Sequence, residues 1–544
     1  MPPATTTSSD TKRSSTRAAG VVGIAVMCSR LLGLAREMIF NSLFGAGGNL
    51  DMFITAFRAP NLLRDLFAEG ALSTAFVTTF SKKIATGGDD PAWRLANKIG
   101  TLTLVVMSAL TLLGIVFSSQ LIGVLGSGFH GDEARTTALL TAVMFPFILM
   151  VSLAALAMGM LNAKHVFGWP AMASTFFNIG SILGGVVIGW WLDPHFGTRA
   201  LFGLAIGTLI GGFLQLAVQI PPLFRIGFRP RFDFHWRDEG VNTVLRLMAP
   251  AVIAASAVQV NVMVNTSFAT HLAAGSVTWL NNAFRLLQLP LGIFGVAIGT
   301  VTLPLLAKSI ALGNHDDFRS TLARGMRLAF LLTVPASIGL VMLARPIMSL
   351  LYEHGHVTSD QVTQMAAALQ LYAIGLVAYS AMKVLAPAFY AIDKRKTPMM
   401  VSFLAIGTNL ALNWWFTFHL GWGHRGLALS TGLVATINFL LLYALMRHHA
   451  RGLESRLLFA ALGKIAAAGG ALALVCWAAD AWVLSDWTRM NFVTRLAALL
   501  GTITVAGGAF FGAAFVLKLD EMRDVVEIFQ RKLARKKLSA KYAK

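Results

Sequence analysis

Fourteen apolar stretches, each long enough to cross a lipid bilayer, follow one another along this chain. A membrane-spanning helix needs about 20 mostly apolar residues. Only 13% of the 544 residues are charged, against about 25% in a soluble domain. So few charges cannot cover a water-exposed surface, which excludes a soluble enzyme, a disordered chain and a disulfide scaffold. We therefore predict an all-α polytopic membrane protein with about 14 transmembrane helices. The predicted spans are 19–44, 52–80, 97–127, 136–162, 168–191, 199–222, 240–270, 276–307, 325–351, 361–392, 398–418, 425–446, 457–481 and 492–517.

The loops between these spans alternate in charge. Counting from residues 1–18, every second loop is basic, and the loops between them hold one arginine each or none. Because basic loops stay on the cytoplasmic side, the alternation predicts that both termini are cytoplasmic. Lysines and arginines exceed acidic residues by 45 − 25 = 20, and most of this surplus lies in those loops and in the tail 531–544. The tail is interpreted as an anchor for anionic lipid headgroups, in preference to a nucleic-acid patch.

Two short alignments indicate an internal repeat. Residues 74–88 match 300–314 at five of fifteen positions, and 159–174 match 387–402 at four of sixteen. The offsets agree closely, at 300 − 74 = 226 and 387 − 159 = 228. Each offset covers six spans, which predicts two six-helix lobes in a parallel pseudo-repeat, plus two extra C-terminal helices. Lobes of this kind are typical of alternating-access transporters with a central cavity. The predicted regions are a polar N-terminus (1–18), an N-lobe (19–222), a cytoplasmic linker (223–239), a C-lobe (240–446), the two extra helices (457–517) and a basic tail (518–544).

Glycines recur at helical spacing in the fifth and sixth spans. The sixth span has Gly203, Gly207 and Gly211, and the fifth has pairs such as Gly185 and Gly189. Small residues four positions apart let membrane helices approach closely. Since no GxxxxGK[ST] phosphate loop occurs in the sequence, we predict helix packing here.

Ionisable side chains cluster inside a few of the spans. A charge at this depth is costly unless it faces a cavity or a partner. Four arginines outnumber the carboxylates left to pair with them, and a guanidinium binds phosphate bidentately while staying charged at any depth. We predict that these four bind an anionic ligand, with a diphosphate as the natural candidate. They are Arg30, Arg36, Arg64 and Arg285.

A supporting polar network is predicted around the four arginines. At about 100° per residue, one helix face carries four members of this network. They are Asp51, Arg58, Asp65 and Glu69. They form either a buried ion-pair network or part of the ligand site, and both interpretations stay open. The whole network comprises Ser29, Glu37, Asp51, Arg58, Asn61, Asp65, Glu69, Gln288 and Lys383.

Enzyme motifs are missing from the sequence. It contains no HExxH, paired CxxC or G-x-S-x-G arrangement, and its twelve histidines lie mostly in loops. His354 and His356, next to Glu353, are interpreted as part of an exposed loop in preference to a metal site. We predict no catalytic residues, no resident metal and no cofactor.

The run 29–76 closely resembles the MurJ (MviN) lipid II flippases of bacteria, which belong to the MOP exporter superfamily. Residues 281–309 and 383–398 are similar to the same family, and the likeness covers essentially the whole chain. The resemblance implies a bacterial inner-membrane protein that moves lipid II, undecaprenyl-diphosphate-MurNAc(pentapeptide)-GlcNAc, from the cytoplasmic to the periplasmic leaflet for peptidoglycan synthesis. It also implies that the last two helices line a groove for the prenyl tail. The family's essential cavity arginines fall on Arg30, Arg36, Arg64 and Arg285, and its acidic positions on Glu37 and Asp51.

Departures from the family pattern leave the pairing of charges and the energy source open. Gln288 stands where some relatives have a carboxylate, and Asp65 where some have a basic residue. Certain relatives build a sodium site with aspartates in the second lobe. The seventh, eleventh and twelfth spans of this chain lack an intramembrane carboxylate, although Asn409 and Asn413 are present. Sodium coupling is therefore not expected, and coupling to the membrane potential or another ion stays open.

Two other classes of function compete with this interpretation. The first is a MOP-type exporter of another polyprenyl-linked glycan or of a small molecule such as a drug cation. The second is a membrane enzyme or a scaffold. The expected partners are lipid II, anionic lipids at the basic tail and the cell-wall synthesis machinery, without nucleic acid.

Overall fold

The computed structural model describes residues 8–66 and 72–522, and this part of the chain is helical without any β-strand. The all-α prediction is thus confirmed. π-helical turns interrupt the helices at several points, among them Leu291–Gly295 and Trp415–His419. The α-helices, numbered in chain order, are α1 (Ser8–Phe44), α2 (Gly48–Leu63), α3 (Ser73–Gly87), α4 (Asp89–Val116), α5 (Ser118–Leu125), α6 (Gly131–Met144), α7 (Phe147–Ala163), α8 (Gly168–Leu192), α9 (Leu201–Ala217), α10 (Ile220–Arg225), α11 (Glu239–Thr270), α12 (Ser276–Pro290), α13 (Val296–Ala311), α14 (His315–Met342), α15 (Ala344–Tyr352), α16 (Ser359–Ile374), α17 (Leu376–Ala391), α18 (Lys396–Trp414), α19 (Gly423–His449), α20 (Ser455–Trp482) and α21 (Phe492–Val516).

Within the described residues, ten helices are long and apolar enough to cross a membrane, or eleven if the bent pair α16–α17 is counted as one span. These eleven coincide with eleven of the fourteen predicted spans. The other three, 19–44, 52–80 and 240–270, are helical where the structure describes them. A multi-pass membrane protein is therefore supported, and the count of fourteen stays a prediction.

Several predicted spans contain a break. Pro146 separates α6 from α7, and Pro290 ends α12 just before a π-helical turn. Proline lacks the N–H that an α-helix needs, and its ring displaces the preceding turn. α16 and α17 meet at an angle of 41° beside Gly375. A Cβ on Gly375 would lie 2.7 Å from the Cα of Gly432, so close packing of α19 accompanies this bend.

The bounds of the helices repeat along the chain. The first residues of α2 and α12 give an offset of 276 − 48 = 228, and their last residues give 290 − 63 = 227. The first residues of α4 and α14 give 315 − 89 = 226, and those of α5 and α15 give 344 − 118 = 226. The order of long and short helices from α1 to α8 is thus repeated from α11 to α18, whereas α10 has no separate counterpart. This correspondence supports the internal repeat, while the lobe boundaries stay predictions.

Contacts divide the chain into two compact units. The N-unit comprises Met1–Thr278 with His354–Val357, and the C-unit comprises Trp279–Glu353 with Thr358–Lys544. α11, the first helix of the second repeat, therefore belongs to the N-unit.

In the N-unit, the linker between α10 and α11 lies along α4 as a strap. The side chain of Asn97 donates to the carbonyl of Arg229 at 3.2 Å and accepts from the amide of Arg231 at 2.9 Å. Farther along α4, the Thr101 hydroxyl accepts from the amide of Asp233 at 3.0 Å. These bonds fix an extended segment that has no secondary structure of its own.

The strap ends at Asp238, which caps the N-terminus of α11. Its carboxylate accepts from the amides of Gly240 at 2.8 Å and Val241 at 3.3 Å, and from the Lys98 ammonium at 3.0 Å. Partial burial would raise the pKa of Asp238, but the Lys98 bond and the amide bonds outweigh it, so the pKa is lowered. An ionised cap of this kind stabilises a helix N-terminus.

The glycines of α8 and α9 face one another. A Cβ on Gly203 would lie 2.2 Å from the backbone nitrogen of Gly189, and a Cβ on Gly207 would lie 2.3 Å from that of Gly185. The two backbones are therefore in direct contact, and the predicted helix packing is confirmed.

The two extra helices, α20 and α21, pack within the C-unit. Buried side chains of α20, such as Ile465 and Leu472, and Phe510 of α21 share a core with Phe330 of α14. At the end of this core, Arg327 of α14 pairs with Glu454 and Glu521, which flank the two extra helices. The predicted lipid-tail groove stays a prediction.

Replacing Gly207 by Ala is expected to destabilise the N-unit. The new methyl group would collide with backbone atoms that cannot rotate away, and overpacking of this kind costs about 1–3 kcal/mol. The measurement is the thermal unfolding midpoint of the purified protein in detergent.

The matched control is Gly100→Ala in α4, where a Cβ would meet nothing within 4 Å. An unchanged midpoint for Gly207→Ala would show that α8 and α9 are not packed this closely.

Candidate functional site

The first two predicted arginines lie on α1. Arg36 donates to the carboxylate of Glu37 at 3.0 Å, with 14% and 13% of the two side chains exposed. The guanidinium of Arg36 also lies over the ring of Phe177, 5.3 Å from its centroid. Arg30 is exposed, and it forms no ion pair with any residue that the structure describes. Its guanidinium is available to a ligand.

The third predicted arginine, Arg64, directly follows α2. Its Nε and Nη2 donate to one oxygen of Asp65 at 3.2 and 2.9 Å. The other oxygen of Asp65 accepts from Asn61 at 3.4 Å and from Gln259 of α11 at 3.2 Å. Helical geometry at about 100° per residue points Arg64 away from Asp65, but the long Arg64 side chain bends back to the Asp65 carboxylate. Asp65 thus links the end of α2 to the middle of α11.

Three further members of the predicted network lie near these groups in the sequence. The carbonyl of Ser29 accepts from the Asn178 amide of α8 at 3.2 Å. Arg58 is half-buried in α2. Glu69 lies outside the described residues, so the shared face predicted for Asp51 to Glu69 is seen only in part.

Asp51 occupies a cradle of backbone amides. It is 3% exposed. One carboxylate oxygen accepts from the amide of Gly275 at 2.6 Å, and the other from the amide and the hydroxyl of Thr278 at 2.8 and 2.6 Å. Those donors lie at the N-terminus of α12, where free amides and the helix dipole favour an anion. The Asp51 carboxylate is thus used to anchor α2 to the start of α12.

The remaining predicted residues lie in the C-unit. Arg285 of α12 is half-buried, whereas Gln288 of α12 and Lys383 of α17 are exposed. α17 is held close to α13 at Lys383, since a Cβ on Gly299 would lie 2.3 Å from the Lys383 carbonyl oxygen. The site residues of each unit are therefore presented on closely packed helices.

Two contributors were missed by sequence reasoning. Gln259 binds Asp65, and Phe177 stacks on Arg36. Gln259 leaves a signal, since an amide side chain is costly inside an apolar span unless it has a partner. A phenylalanine in an apolar helix leaves none.

This arrangement suits an anionic ligand. The two arginine–carboxylate pairs are partly exposed, and the aromatic face beside Arg36 stabilises its positive charge. No group of three or more His, Cys, Asp or Glu that could hold a metal ion occurs among residues 8–66 and 72–522.

Known proteins resemble this chain over most of its length. The family model described as "Lipid II flippase MurJ" matches residues 40–498. The lipid II flippase MurJ of Burkholderia cenocepacia is 34% identical over 505 residues, covering 90% of this chain and 95% of its own. A solved structure of lipid II flippase MurJ in an inward closed conformation is 25% identical, with a TM-score of 0.72, and covers 90% of this chain and 98% of its own. An inward-facing MATE transporter of the MOP superfamily shares the fold, with a TM-score of 0.64 at 13% identity over 80% of this chain and 98% of its own.

Replacing Asp51 by Asn is expected to lower stability. The Asn amide group can present only one acceptor oxygen to the cradle, which leaves a buried donor unpaired at a cost of about 1–3 kcal/mol. The measurement is again thermal unfolding in detergent.

Asp480→Asn serves as the control, because Asp480 is an exposed carboxylate at the end of α20. Equal unfolding midpoints for the two variants would contradict an anchoring role for Asp51.

Proposed function

This chain belongs to the lipid II flippase MurJ family of the MOP superfamily, and from that premise we propose that it moves lipid II across the bacterial inner membrane for peptidoglycan synthesis. The transported species is undecaprenyl-diphosphate-MurNAc(pentapeptide)-GlcNAc, which passes from the cytoplasmic to the periplasmic leaflet by alternating access. The match extends over residues 40–498, so it includes almost all of both repeats.

The three arginines of the first two predicted spans, Arg30, Arg36 and Arg64, are the observation that supports this function best. Arg30 is exposed without an ion pair among the described residues, while Arg36 and Arg64 are paired with carboxylates that are themselves partly exposed. A diphosphate offers more negative charge and more acceptor oxygens than a carboxylate. Arginine binds such groups through two parallel hydrogen bonds.

The paired carboxylates have a role in this proposal. Glu37 and Asp65 hold the guanidinium groups in place before the substrate arrives, which reduces the cost of two desolvated cations. The diphosphate binds first to Arg30 and then shares Arg36 and Arg64 with their carboxylates. Arg285 on α12 is a further phosphate-binding residue in this proposal.

A polar cluster in the C-unit bears on the energy source. Asn413 donates to Asn409 at 2.9 Å, and the Ser430 hydroxyl donates to Asn413. All three residues are buried, and none is charged. A cluster without a carboxylate is a poor site for sodium, which needs several oxygen ligands. We therefore propose transport without sodium, with the membrane potential as one candidate energy source.

The orientation of the chain, the fate of the substrate and the binding partners are also part of this proposal. Both termini are proposed to lie in the cytoplasm, because basic loops stay on that side of the membrane. The protein releases its substrate chemically unchanged, so it is a transporter and not an enzyme. The basic tail, which lies outside the described residues beyond residue 522, binds anionic lipids, and the cell-wall synthesis machinery is a candidate partner.

The charge of the site separates this function from related exporters. An exporter of drug cations needs a net acidic site, whereas the site proposed for this chain is built on Arg30, Arg36, Arg64 and Arg285. A flippase for another polyprenyl-linked glycan would use the same diphosphate contacts, so the lipid that accumulates on depletion decides between the two.

Replacing Arg30 by Ala is expected to reduce lipid II export about 10- to 100-fold, because a hydrogen bond to a charged group contributes about 1.5–3 kcal/mol. Arg30→Lys keeps the charge without the bidentate fork and is expected to be intermediate. The measurement is the leaflet distribution of lipid II in cells where each variant replaces the depleted wild-type protein.

Arg199→Ala, at an exposed position before α9, is expected to export normally. The site assignment fails if Arg30→Ala, present at the wild-type level, supports normal export. The glycan alternative is favoured if depletion leaves lipid II distributed normally and another polyprenyl-linked glycan accumulates.

A further inference from the structure

Two short loops dock on helix ends in the N-unit, and we infer that they form a pair of latches that must open for the substrate to leave. The first latch is the loop Gly126–His130 after α5, which docks on the end of α11. The second is the loop His354–Val357 after α15, which docks on the end of α1. The alternation of loop charge predicts that all four segments lie on the outer side. The inference rests on the proposed transport function and assigns positioning residues for it.

The first latch is held by hydroxyl groups and one backbone amide. The Ser127 hydroxyl lies 2.9 Å from the Ser267 hydroxyl and 2.9 Å from Nε2 of His271. The amide of Gly128 donates to the Thr270 hydroxyl at 3.1 Å. The loop therefore contacts the last turn of α11 directly.

The second latch satisfies carbonyl groups at the C-terminus of α1. The amide of His356 donates to the carbonyl of Ser42 at 2.8 Å, and Nδ1 of His356 lies 2.7 Å from the carbonyl oxygen of Leu43. The last carbonyl groups of a helix have no partner within that helix. The loop supplies donors that water or a cap would otherwise provide.

A glycine permits the close approach in each latch. A Cβ on Gly128 would lie 2.1 Å from the Thr270 carbonyl oxygen, and a Cβ on Gly355 would lie 2.2 Å from that of Ser42. Neither carbonyl can move without unwinding the helix end, so no larger residue fits either position. Gly355 also has a φ of +59°, which favours glycine by itself.

The two latches are equivalent under the internal repeat. Gly128 and Gly355 are related by an offset of 355 − 128 = 227, and Ser42 and Thr270 by 270 − 42 = 228. Each loop contacts the helix of the other repeat, so the loop of the first repeat holds α11 and the loop of the second holds α1. A two-fold axis produces reciprocal contacts of this kind, in which i touches j and j touches i.

The hydrogen bonds that hold the latches suit contacts that must break during transport. Each is held by a few hydrogen bonds, and the imidazoles of His271 and His356 are exposed. The adjacent anchor of Asp51 differs, since its bonds are buried. The hydrogen bonds made by these two imidazoles are exposed and exchange readily with water, so breaking them costs less than breaking the buried bonds of Asp51.

A reversible covalent lock tests the inference in the full-length protein. Cysteines replace Ser127 and Ser267 in a background with Cys28 and Cys476 changed to Ala. The two hydroxyl oxygens lie 2.9 Å apart, so two sulfur atoms at these positions are within reach of an S–S bond of about 2.05 Å. Cells that depend on this variant are oxidised, and lipid II export is followed before and after addition of a membrane-permeable reductant. We expect export to fall at least tenfold on oxidation and to recover on reduction, which a folding defect would not do.

A second disulfide is the control. Asn49 and Thr198 are 3.3 Å apart through Oδ1 and Oγ1 and lie within the same repeat, so cysteines at these positions are expected to cross-link without arresting export. Normal export with the Ser127–Ser267 pair fully cross-linked would overturn the latch, and so would failure of that pair to cross-link. Reversible growth arrest with a normal lipid II distribution would support the latch and contradict the proposed substrate.

The glycine of the second latch gives an independent test. Gly355→Ala adds a methyl group where the carbonyl of Ser42 blocks it, whereas Gly131→Ala has a similar φ, +57°, with nothing within 4 Å. We expect Gly355→Ala to lower export at least fivefold and to reduce cross-linking of the first latch, with Gly131→Ala near wild type in both. Equal export and equal cross-linking in the two variants would overturn the inference.

Discussion

The lack of water in a bilayer interior determines how this chain treats its charges. A charged group that enters the apolar region must face a cavity, a partner or a dipole, since no solvent compensates it. Asp51 meets this requirement with amides at the start of α12, and Arg36 meets it with Glu37 and the ring of Phe177. The same constraint points to a role for Arg30, because it lies in a predicted apolar span without an ion pair among the described residues, and such a charge is kept there at a cost.

Close backbone packing gives these charged side chains a rigid support. The glycine contacts between α8 and α9 bring two backbones together without intervening side chains. α8 also contributes Phe177 and Asn178, which contact α1 beside Arg36 and Ser29. A helix fixed to its neighbour by backbone contact thus positions the arginine-bearing helix, so packing far from the charges affects their geometry.

The sequence predicted the residue types and the helices better than it predicted the contacts. Periodic apolar spans indicated the all-α fold, and four-residue glycine spacing indicated the α8–α9 contact, because both patterns depend on neighbours in the chain. The Asp51 cradle joins residues far apart in the sequence, and no local pattern encodes it. The pairs Arg36–Glu37 and Arg64–Asp65 depend on side-chain torsions that helical wheels ignore. The roles of the four arginines remain predictions, supported by chemistry and by the family.

The strap along α4 has a consequence for biogenesis. Ribosomes release the chain from its N-terminus, so α1 to α10 are complete before α11 emerges. α11 belongs to the N-unit, and its first turn is fixed by Asp238 and Lys98. The second repeat therefore begins its assembly against a finished surface, with its first helix already held in register. Membrane insertion of the remaining spans can then proceed from a fixed starting point, which limits the misassembly that two similar repeats would otherwise invite.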